Sequence, residues 1–318
     1  MKPILIINKP HPVFFDLLET AGFPYEEDYT SDYEALLEKI GAYSGLVLRS
    51  RVSLDRNFIA AASGLKFIAR EGVGLDHIDL KACEEYQIPV IISPEGSRDT
   101  VGEHAIGMLL NLMNHLNRCN TQVSKGQWLR EENRATELKG KTVGLIGYGN
   151  MGQSFARKVS GFEVEVLAYD KYRKDYGDEF AKAVDLSTLQ KNADIISIHI
   201  PLDEFNEYFI DRTFFEALSK SVFLINTARG LVLETAALVE AMKDGQVKAA
   251  ALDVLEYEDS SFDKLLDLEK LKAENADYRY LVESDQVLLS PHIAGWSFES
   301  KKKHAEVLYV KISQLLDC

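Results

Sequence analysis

Three places in the second half of the chain carry side chains suited to moving a proton and holding an acid. They are Arg229, a group of acids around Glu258, and His292. Each follows a short apolar run of strand type: residues 222–226, 249–254 and 287–290 respectively. Histidine suits a base because an unperturbed imidazole titrates at about 6.5. A carboxylate beside it would favour the imidazolium and fix its tautomer. Arginine offers a fork of donors to a carboxylate. Together these groups could take the hydroxyl proton of a 2-hydroxy acid and hold its carboxylate while hydride leaves toward a nicotinamide. Plainer readings stay open from the residues alone. Arg229 also suits a surface charge, and His292, after Pro291, a turn residue. Spacing does not select Glu258 over Glu256 or Asp259. Asp253 could cap a loop, and His199 could fill a cleft wall.

The element that must position this chemistry lies upstream. Residues 142–146 form an apolar strand-like run that meets Gly147-Tyr148-Gly149-Asn150-Met151-Gly152, and a helical pattern carrying Phe155, Val159 and Phe162 follows. In such a motif Gly147 permits the tight turn, Gly149 lets backbone approach a pyrophosphate, and Gly152 lets helix and strand pack closely. The helix N-terminus then presents free N–H groups to phosphate. A second strand-like run, 164–169, ends at Asp170, about 20 residues on, where an acid accepts hydrogen bonds from an adenosine ribose. That carboxylate predicts NAD, since it repels a 2′-phosphate; Arg173 nearby leaves room for NADP.

The first half reads as alternating elements. Strands are expected at 4–7, 46–48, 65–69 and 90–92, with helices at 14–21, 33–40, 54–62 and 80–86. Alternation of this kind predicts an α/β fold of doubly wound parallel sheets. Ligands bind at the carboxyl ends of such strands. Two peptides fall there: Arg49-Ser50-Arg51, which reads as an anion clamp or as solvated charge, and Arg70-Glu71-Gly72-Val73-Gly74-Leu75-Asp76, whose glycines free backbone N–H groups to meet an acid. Residues 93–98 read as a loop and 100–124 as one long helix, whose face of Val101, Ala105, Met108, Leu109, Leu112 and Leu116 is expected to meet another domain or subunit. Further strands are expected at 195–200, 222–226, 249–254 and 287–290, and a C-terminal helix at 301–316. Residues 256–284, acidic and poorly patterned, read as a surface excursion.

Composition bounds the rest. A chain of 318 residues suggests two domains or one large one. Its net charge of −14 argues against a nucleic-acid partner held by basic surface. The first residues read as a strand, with no signal-peptide cleavage pattern, and no apolar run reaches the ~18 residues of a membrane span. Cys83, Cys119 and Cys318 show neither metal nor disulfide spacing, which predicts no metal site and a reducing compartment, the cytoplasm.

Several peptides together resemble one family, the D-isomer-specific 2-hydroxyacid dehydrogenases, over nearly the whole chain. They are Gly72-Val73-Gly74-Leu75-Asp76, Val101-Gly102-Glu103-His104-Ala105, the 147–152 glycine motif, His199-Ile200-Pro201-Leu202, Asn226-Thr227-Ala228-Arg229-Gly230, Ala251-Leu252-Asp253-Val254 and Ser290-Pro291-His292-Ile293-Ala294-Gly295-Trp296. The resemblance implies an NAD-dependent enzyme acting on a small 2-hydroxy or 2-keto acid. It implies that His292 is the acid/base, that Glu258 is its partner and that Arg229 binds substrate. It implies cofactor contacts from Gly147, Gly149, Asn150, Met151, Gly152, Asp170, His199, Pro201, Thr227, Ala228, Asp253 and Gly295, and substrate contacts from Arg49, Ser50, Val73 and Gly74. It implies two Rossmann-like domains, a discontinuous substrate domain of residues 1–98 and 293–318 and an NAD domain of 99–292, and a homodimer built on the long helix.

Within the family the chain is most similar to phosphoglycerate dehydrogenases, in which residues at the positions of Arg49 and Ser50 hold the substrate phosphate; that makes 3-phosphoglycerate the first substrate to try. D-lactate and glyoxylate or hydroxypyruvate are the rivals, and an NAD-sensing corepressor-like protein is the reading from another class. The chain departs from the usual pattern at Ser97, at His77 and at Asp203, where the usual residues are Asn, Asn and Thr. No regulatory domain is expected after Cys318.

Overall fold

The computed structural model describes residues 2–258 and 268–316. Asp259 and Cys318, both weighed above, lie outside them. The chain divides into two compact units, one of Met1–Arg98 and Trp296–Cys318, the other of Asp99–Gly295.

The first unit holds a five-stranded parallel sheet of β1 (Ile4–Ile6), β2 (Tyr25–Glu27), β3 (Gly45–Leu48), β4 (Phe67–Arg70) and β5 (Val90–Ile92), in the order β2-β1-β3-β4-β5. Its inner strands are continuous apolar runs rather than alternating ones, broken only by Arg70 at the carboxyl end of β4, because both faces are covered. Leu5, Leu46, Leu48 and Ile68 pack with Leu36 and Phe58, while Ile4, Ile6, Val47 and Phe67 pack with Phe14, Leu308 and Ile312. The last two residues belong to the C-terminal helix Phe298–Leu316, which returns to cover this sheet. The chain reverses its direction of travel between β1 and β3. The crevice rule therefore points to the carboxyl ends of those two strands, at Asn8 and Arg49.

The second unit holds seven parallel strands: β6 (Thr142–Ile146), β7 (Glu165–Tyr169), β8 (Lys182–Ala183), β9 (Ile195–Ile198), β10 (Val222–Asn226), β11 (Val247–Leu252) and β12 (Val287–Leu289), in the order β12-β11-β10-β9-β6-β7-β8. Here the switch lies between β6 and β9, with Ile146 opposite Ile198. Gly147 and His199 follow those ends.

Five expectations need correction. The stretch 93–98 is not a loop. A helix begins at Pro94 and runs to Asn114, because proline suits a first helical position, where its missing N–H costs nothing. Gly96 sits inside it where a Cβ would meet the His304 ring at 2.4 Å. Nor is 100–124 one helix. His115 is left-handed at φ 53°, and a second helix, Leu116–Ser124, starts after it. The face expected to meet another domain or subunit is spent inside the second unit: Ala105, Met108, Leu109 and Leu112 are buried with Val143, Leu145 and Phe155, while Leu116, beyond the break, stays exposed. The acidic stretch 256–284 is not all surface excursion. Asn275 caps a helix, Ala276–Glu283, that buries Tyr278 and Leu281. Phe162 lies outside its helix, half-exposed in a 3-10 turn.

Candidate active site

The glycine motif joins β6 to the helix Asn150–Val159. Gly147 has φ +96°, and a Cβ there would meet the His199 carbonyl oxygen at 2.7 Å, so both turn and neighbour demand glycine. A Cβ on Gly152 would strike the Gly147 carbonyl oxygen at 2.2 Å. Gly149 differs, having nothing described within 4 Å of such a Cβ: its glycine faces open space next to the helix N-terminus, which Asn150 and Met151 begin. A pocket beside it is lined by Gly147, Gly149, Asp170, His199, Pro201 and Phe209, among others.

Asp170 is held by its own loop. Oδ2 accepts from the Tyr148 N–H at 3.0 Å, and Oδ1 accepts from the N–H groups of Tyr172 and Arg173 at 3.0 Å each. Arg173 folds its guanidinium back onto the Tyr148 carbonyl. Tyr176 Oη accepts from the Asp170 N–H at 2.8 Å. His199 packs on Phe155, and its Nε2 lies 2.9 Å from Ser197 Oγ. Burial depresses its pKa to about 4, which keeps the ring neutral. The Asp203 oxygens accept from the Phe205 N–H and the Asn206 side chain, closing their own turn.

The strand ends beyond β9 carry the candidate reactive groups. After β10, the fully buried Asn226 ties the Thr227–Arg229 loop: its Oδ1 accepts from the Ala228 N–H at 3.0 Å and its Nδ2 donates to the Arg229 carbonyl at 3.0 Å. Arg229 itself donates to the Ala228 carbonyl at 2.7 Å. A Cβ on Gly230 would meet the Leu255 carbonyl oxygen at 2.0 Å, so only glycine lets this loop lie against the one after β11. Thr227 Oγ1 is buried with no hydrogen-bond partner among the described residues, an acceptor and donor left for a ligand. With the open space at Gly149 and the fixed acid at Asp170, these residues fit a dinucleotide.

The acids around Glu258 separate by geometry. Glu256 accepts from the Thr235 N–H at 3.0 Å and so serves a helix start. Glu258 accepts from the Leu255 N–H at 2.6 Å with Oε1, and its Oε2 lies 2.6 Å from His292 Nδ1. A carboxylate only accepts, so Nδ1 carries the hydrogen, and a proton taken up by the neutral ring would go to Nε2. His292 adopts φ 52°, a conformation costly for a residue with a Cβ. Asp253 sustains it. Its carbonyl accepts from the His292 N–H at 2.8 Å. Its Oδ1 accepts from the Ile293 N–H and Ser290 Oγ at 2.9 and 2.5 Å, and its Oδ2 from the Ala294 N–H at 2.8 Å. His104 Nε2 lies 3.5 Å from Oδ1. Burial pushes the Asp253 carboxyl up, but these hydrogen bonds outweigh it and hold the group below its ordinary value. Asp253 is thus the loop cap that sequence allowed. Ser290 and His104, its partners, were quoted in motifs but given no role. Gly295 ends the same turn.

In the first unit, Arg51 is spent on structure, donating to the carbonyls of Ser31 and Asp28 at 2.7 and 3.0 Å. Arg49 is placed differently. Its N–H donates to Asn8 Oδ1 at 2.8 Å, its guanidinium lies 5.3 Å from the Trp296 ring centre, and its Nε is 3.5 Å from Glu71 Oε2. Ser50 follows it, half-buried. The Gly72-Val73-Gly74 loop is anchored where Ser93 Oγ accepts from the Gly72 N–H at 3.1 Å and lies 2.7 Å from His304 Nδ1. Burial, with Arg70 adding, holds His304 at about 4, so the ring beside Ser93 is neutral. Sequence reading missed Ser93 and His304, because no local pattern joins residues 211 positions apart, and it quoted Glu71 in the strand-end peptide without giving it a role.

A family description reading "D-isomer specific 2-hydroxyacid dehydrogenase, NAD binding domain" matches residues 106–294. The chain is 34% identical to a hydroxypyruvate reductase of Thermotoga maritima, over 90% of each chain. It is also 34% identical to a D-3-phosphoglycerate dehydrogenase of Archaeoglobus fulgidus, over 90% of this chain but only 52% of that protein. The chain thus spans about half the length of that dehydrogenase. A solved structure of D-lactate dehydrogenase from Aquifex aeolicus, complexed with NAD and lactic acid, superposes with a TM-score of 0.82 at 27% identity, covering 99% of this chain and 95% of that one. By these matches the chain belongs to the D-isomer specific 2-hydroxyacid dehydrogenase family, and its second unit carries the NAD-binding domain.

Proposed function

We propose that the chain is an NAD-dependent 2-hydroxyacid dehydrogenase acting on a small 2-hydroxy or 2-keto acid. The observation that carries this reading is the 2.6 Å contact between Glu258 and His292 Nδ1, with Glu258 itself fixed by the Leu255 N–H. His292 Nε2 takes the hydroxyl proton in oxidation and returns one to the keto oxygen in reduction. Glu258 stabilises the imidazolium formed and keeps the ring oriented. Arg229 holds the substrate carboxylate with two parallel donors, on a loop made rigid by Asn226. Bound NAD supplies the hydride acceptor. Gly147, Gly149, Asn150, Met151 and Gly152 receive the pyrophosphate, Asp170 the ribose, and His199, Pro201, Thr227, Ala228 and Gly295 line its path. Val73 and Gly74 bind the acid through backbone N–H groups, and Arg49 and Ser50 meet the far end of a longer, phosphate-bearing acid. The Asp170 carboxylate and the retracted Arg173 both favour NAD over NADP.

No described helix is long and apolar enough to cross a membrane. Free thiols at Cys83 and Cys119 support a reducing cytoplasm. Exposed Leu116, Val123, Trp128 and Leu129 support a homodimer built on this segment. The test of the activity follows NADH absorbance over a panel of short 2-keto and 2-hydroxy acids, with His292→Ala beside the native protein. The variant should lose about 10²–10⁴ in turnover while binding NADH as before. Equal losses in both would make His292 a structural residue and sink the proposal.

A further inference from the structure

Glu71 stands at the carboxyl end of β4, one residue before the Gly72-Val73-Gly74 loop. Its side chain is only 4% exposed. Neither of its oxygens has a hydrogen-bond partner among the described residues, and Arg49 Nε, 3.5 Å away, has none either. The groups whose charge bears on it come from three elements: Arg49 after β3, Arg70 in β4 and Lys301 in the C-terminal helix. Arg70 lies close, with Nη1 against the backbone of Gly72, where a Cβ would meet it at 1.3 Å. A buried carboxylate left without donors in a cluster of cations is a costly arrangement for structure alone. It does have an electrostatic consequence. It cancels one positive charge at the place where the proposed clamp would meet the far end of a substrate.

We propose that Glu71 is a specificity-determining residue: by partly neutralising Arg49 and the neighbouring Arg70 it selects short acids with one negative charge and rejects those carrying a second, phosphate-like anion. This rests on the dehydrogenase reading above and narrows its substrate class. An ester phosphate placed against Arg49 must displace the Glu71 contact or lie close to a like charge in a poorly solvated site, where repulsion is little screened. A monoanionic acid held by the Gly72–Gly74 backbone needs no such displacement. The position of Arg49 that resembles a phosphate site would then be retained while its charge is countered.

The test compares one 2-keto acid with its phosphate ester, hydroxypyruvate and phosphohydroxypyruvate, at pH 8 with NADH, in the native protein and in Glu71→Gln. The native protein should reduce the unphosphorylated acid more efficiently. Glu71→Gln should raise kcat/KM for the ester at least tenfold through KM, and change the unphosphorylated acid by less than about threefold. Glu71→Ala serves as a second variant with the same expectation. Equal changes for both acids, or a native protein that prefers the ester, would overturn the proposal. Calorimetric binding of the two acids to native and variant protein separates this failure from that of the underlying activity. A tenfold tightening for the ester alone, without turnover of either acid, keeps the charge selection and removes the dehydrogenase. Turnover without any selective tightening does the reverse.

Discussion

The burial of Glu71 has a stability consequence that can be measured without any substrate. Burial, opposed in part by Arg49, Lys301 and Arg70, pushes its carboxyl from 4.5 up to about 7. A tenfold change in proton affinity corresponds to about 1.4 kcal/mol, so ionising Glu71 in the folded protein costs about 3 kcal/mol more than in the unfolded chain. The sign follows from which state holds the proton. Below pH 4.5 both states are protonated and the group contributes nothing. Between pH 4.5 and 7 the unfolded chain ionises first, the folded state binds more protons, and stability falls as pH rises. Above pH 7 both are ionised and the full penalty remains. Glu71→Gln removes the titration and nearly keeps the shape. The stability difference between Glu71→Gln and native protein should therefore move by about 3 kcal/mol in favour of the variant between pH 4.5 and pH 8. Any fixed cost of burying the amide cancels in that comparison. Urea unfolding of both proteins at the two pH values, followed by a probe in the first unit such as Trp296 fluorescence, measures it. A difference flat with pH would show that Glu71 titrates normally and is solvated or paired. A shift in the opposite direction would show that the folded state prefers the carboxylate, and the electrostatic reasoning would be wrong.

Two other outcomes follow from the second unit. Glu258→Gln keeps a side chain that can accept from the Leu255 N–H but loses the charge beside His292 Nδ1; turnover should fall by about 10²–10³ with NADH affinity unchanged, and stopped-flow hydride transfer at the native rate would refute the pairing. Asp170→Ala removes three backbone hydrogen bonds and the negative charge proposed to meet the ribose; the ratio of kcat/KM for NADH over NADPH should drop at least tenfold, and an unchanged ratio would transfer the preference to another residue.

How much of this was legible in the sequence depended on whether the signal was local. Nearly every inner strand announced itself as a short β-type apolar run, because a parallel sheet covered on both faces needs no polar residue within it. The edge strands did not. Tyr25–Glu27 and Lys182–Ala183 are largely exposed and carry charges, so their pairing comes from neighbours rather than from their own pattern. The break at His115 was hidden for a similar reason: Asn114-His115 contains neither Gly nor Pro, and only the left-handed φ reveals it. Tyr278 and Leu281 were hidden by acidic composition around a single buried pair. The glycine motif and the acid at Asp170 were legible because Gly147 and Gly152 answer steric demands set by nearby backbone and the acid follows at a fixed spacing. The Glu71–Arg49 contact and the Ser93–His304 anchor were not, since they join separate strand ends and a helix far along the chain.

The two acids that follow β11 show where residue type stops being informative. Asp253 and Glu258 are both carboxylates at one strand end, and either would suit a partner for imidazole. Their donors tell them apart. Asp253 is 1% exposed and gathers the Ile293 and Ala294 N–H groups together with Ser290, so its charge is already balanced by the turn it builds. A carboxylate so engaged gains little from a further cation and loses several hydrogen bonds if it moves. Glu258 receives one backbone donor, which fixes its position, and keeps its second oxygen for His292. The turn that Asp253 holds is the one that places His292 at a positive φ, in reach of that oxygen. One acid therefore sustains the strained backbone and the other uses it, and exchanging their roles would require rebuilding the loop rather than changing a side chain.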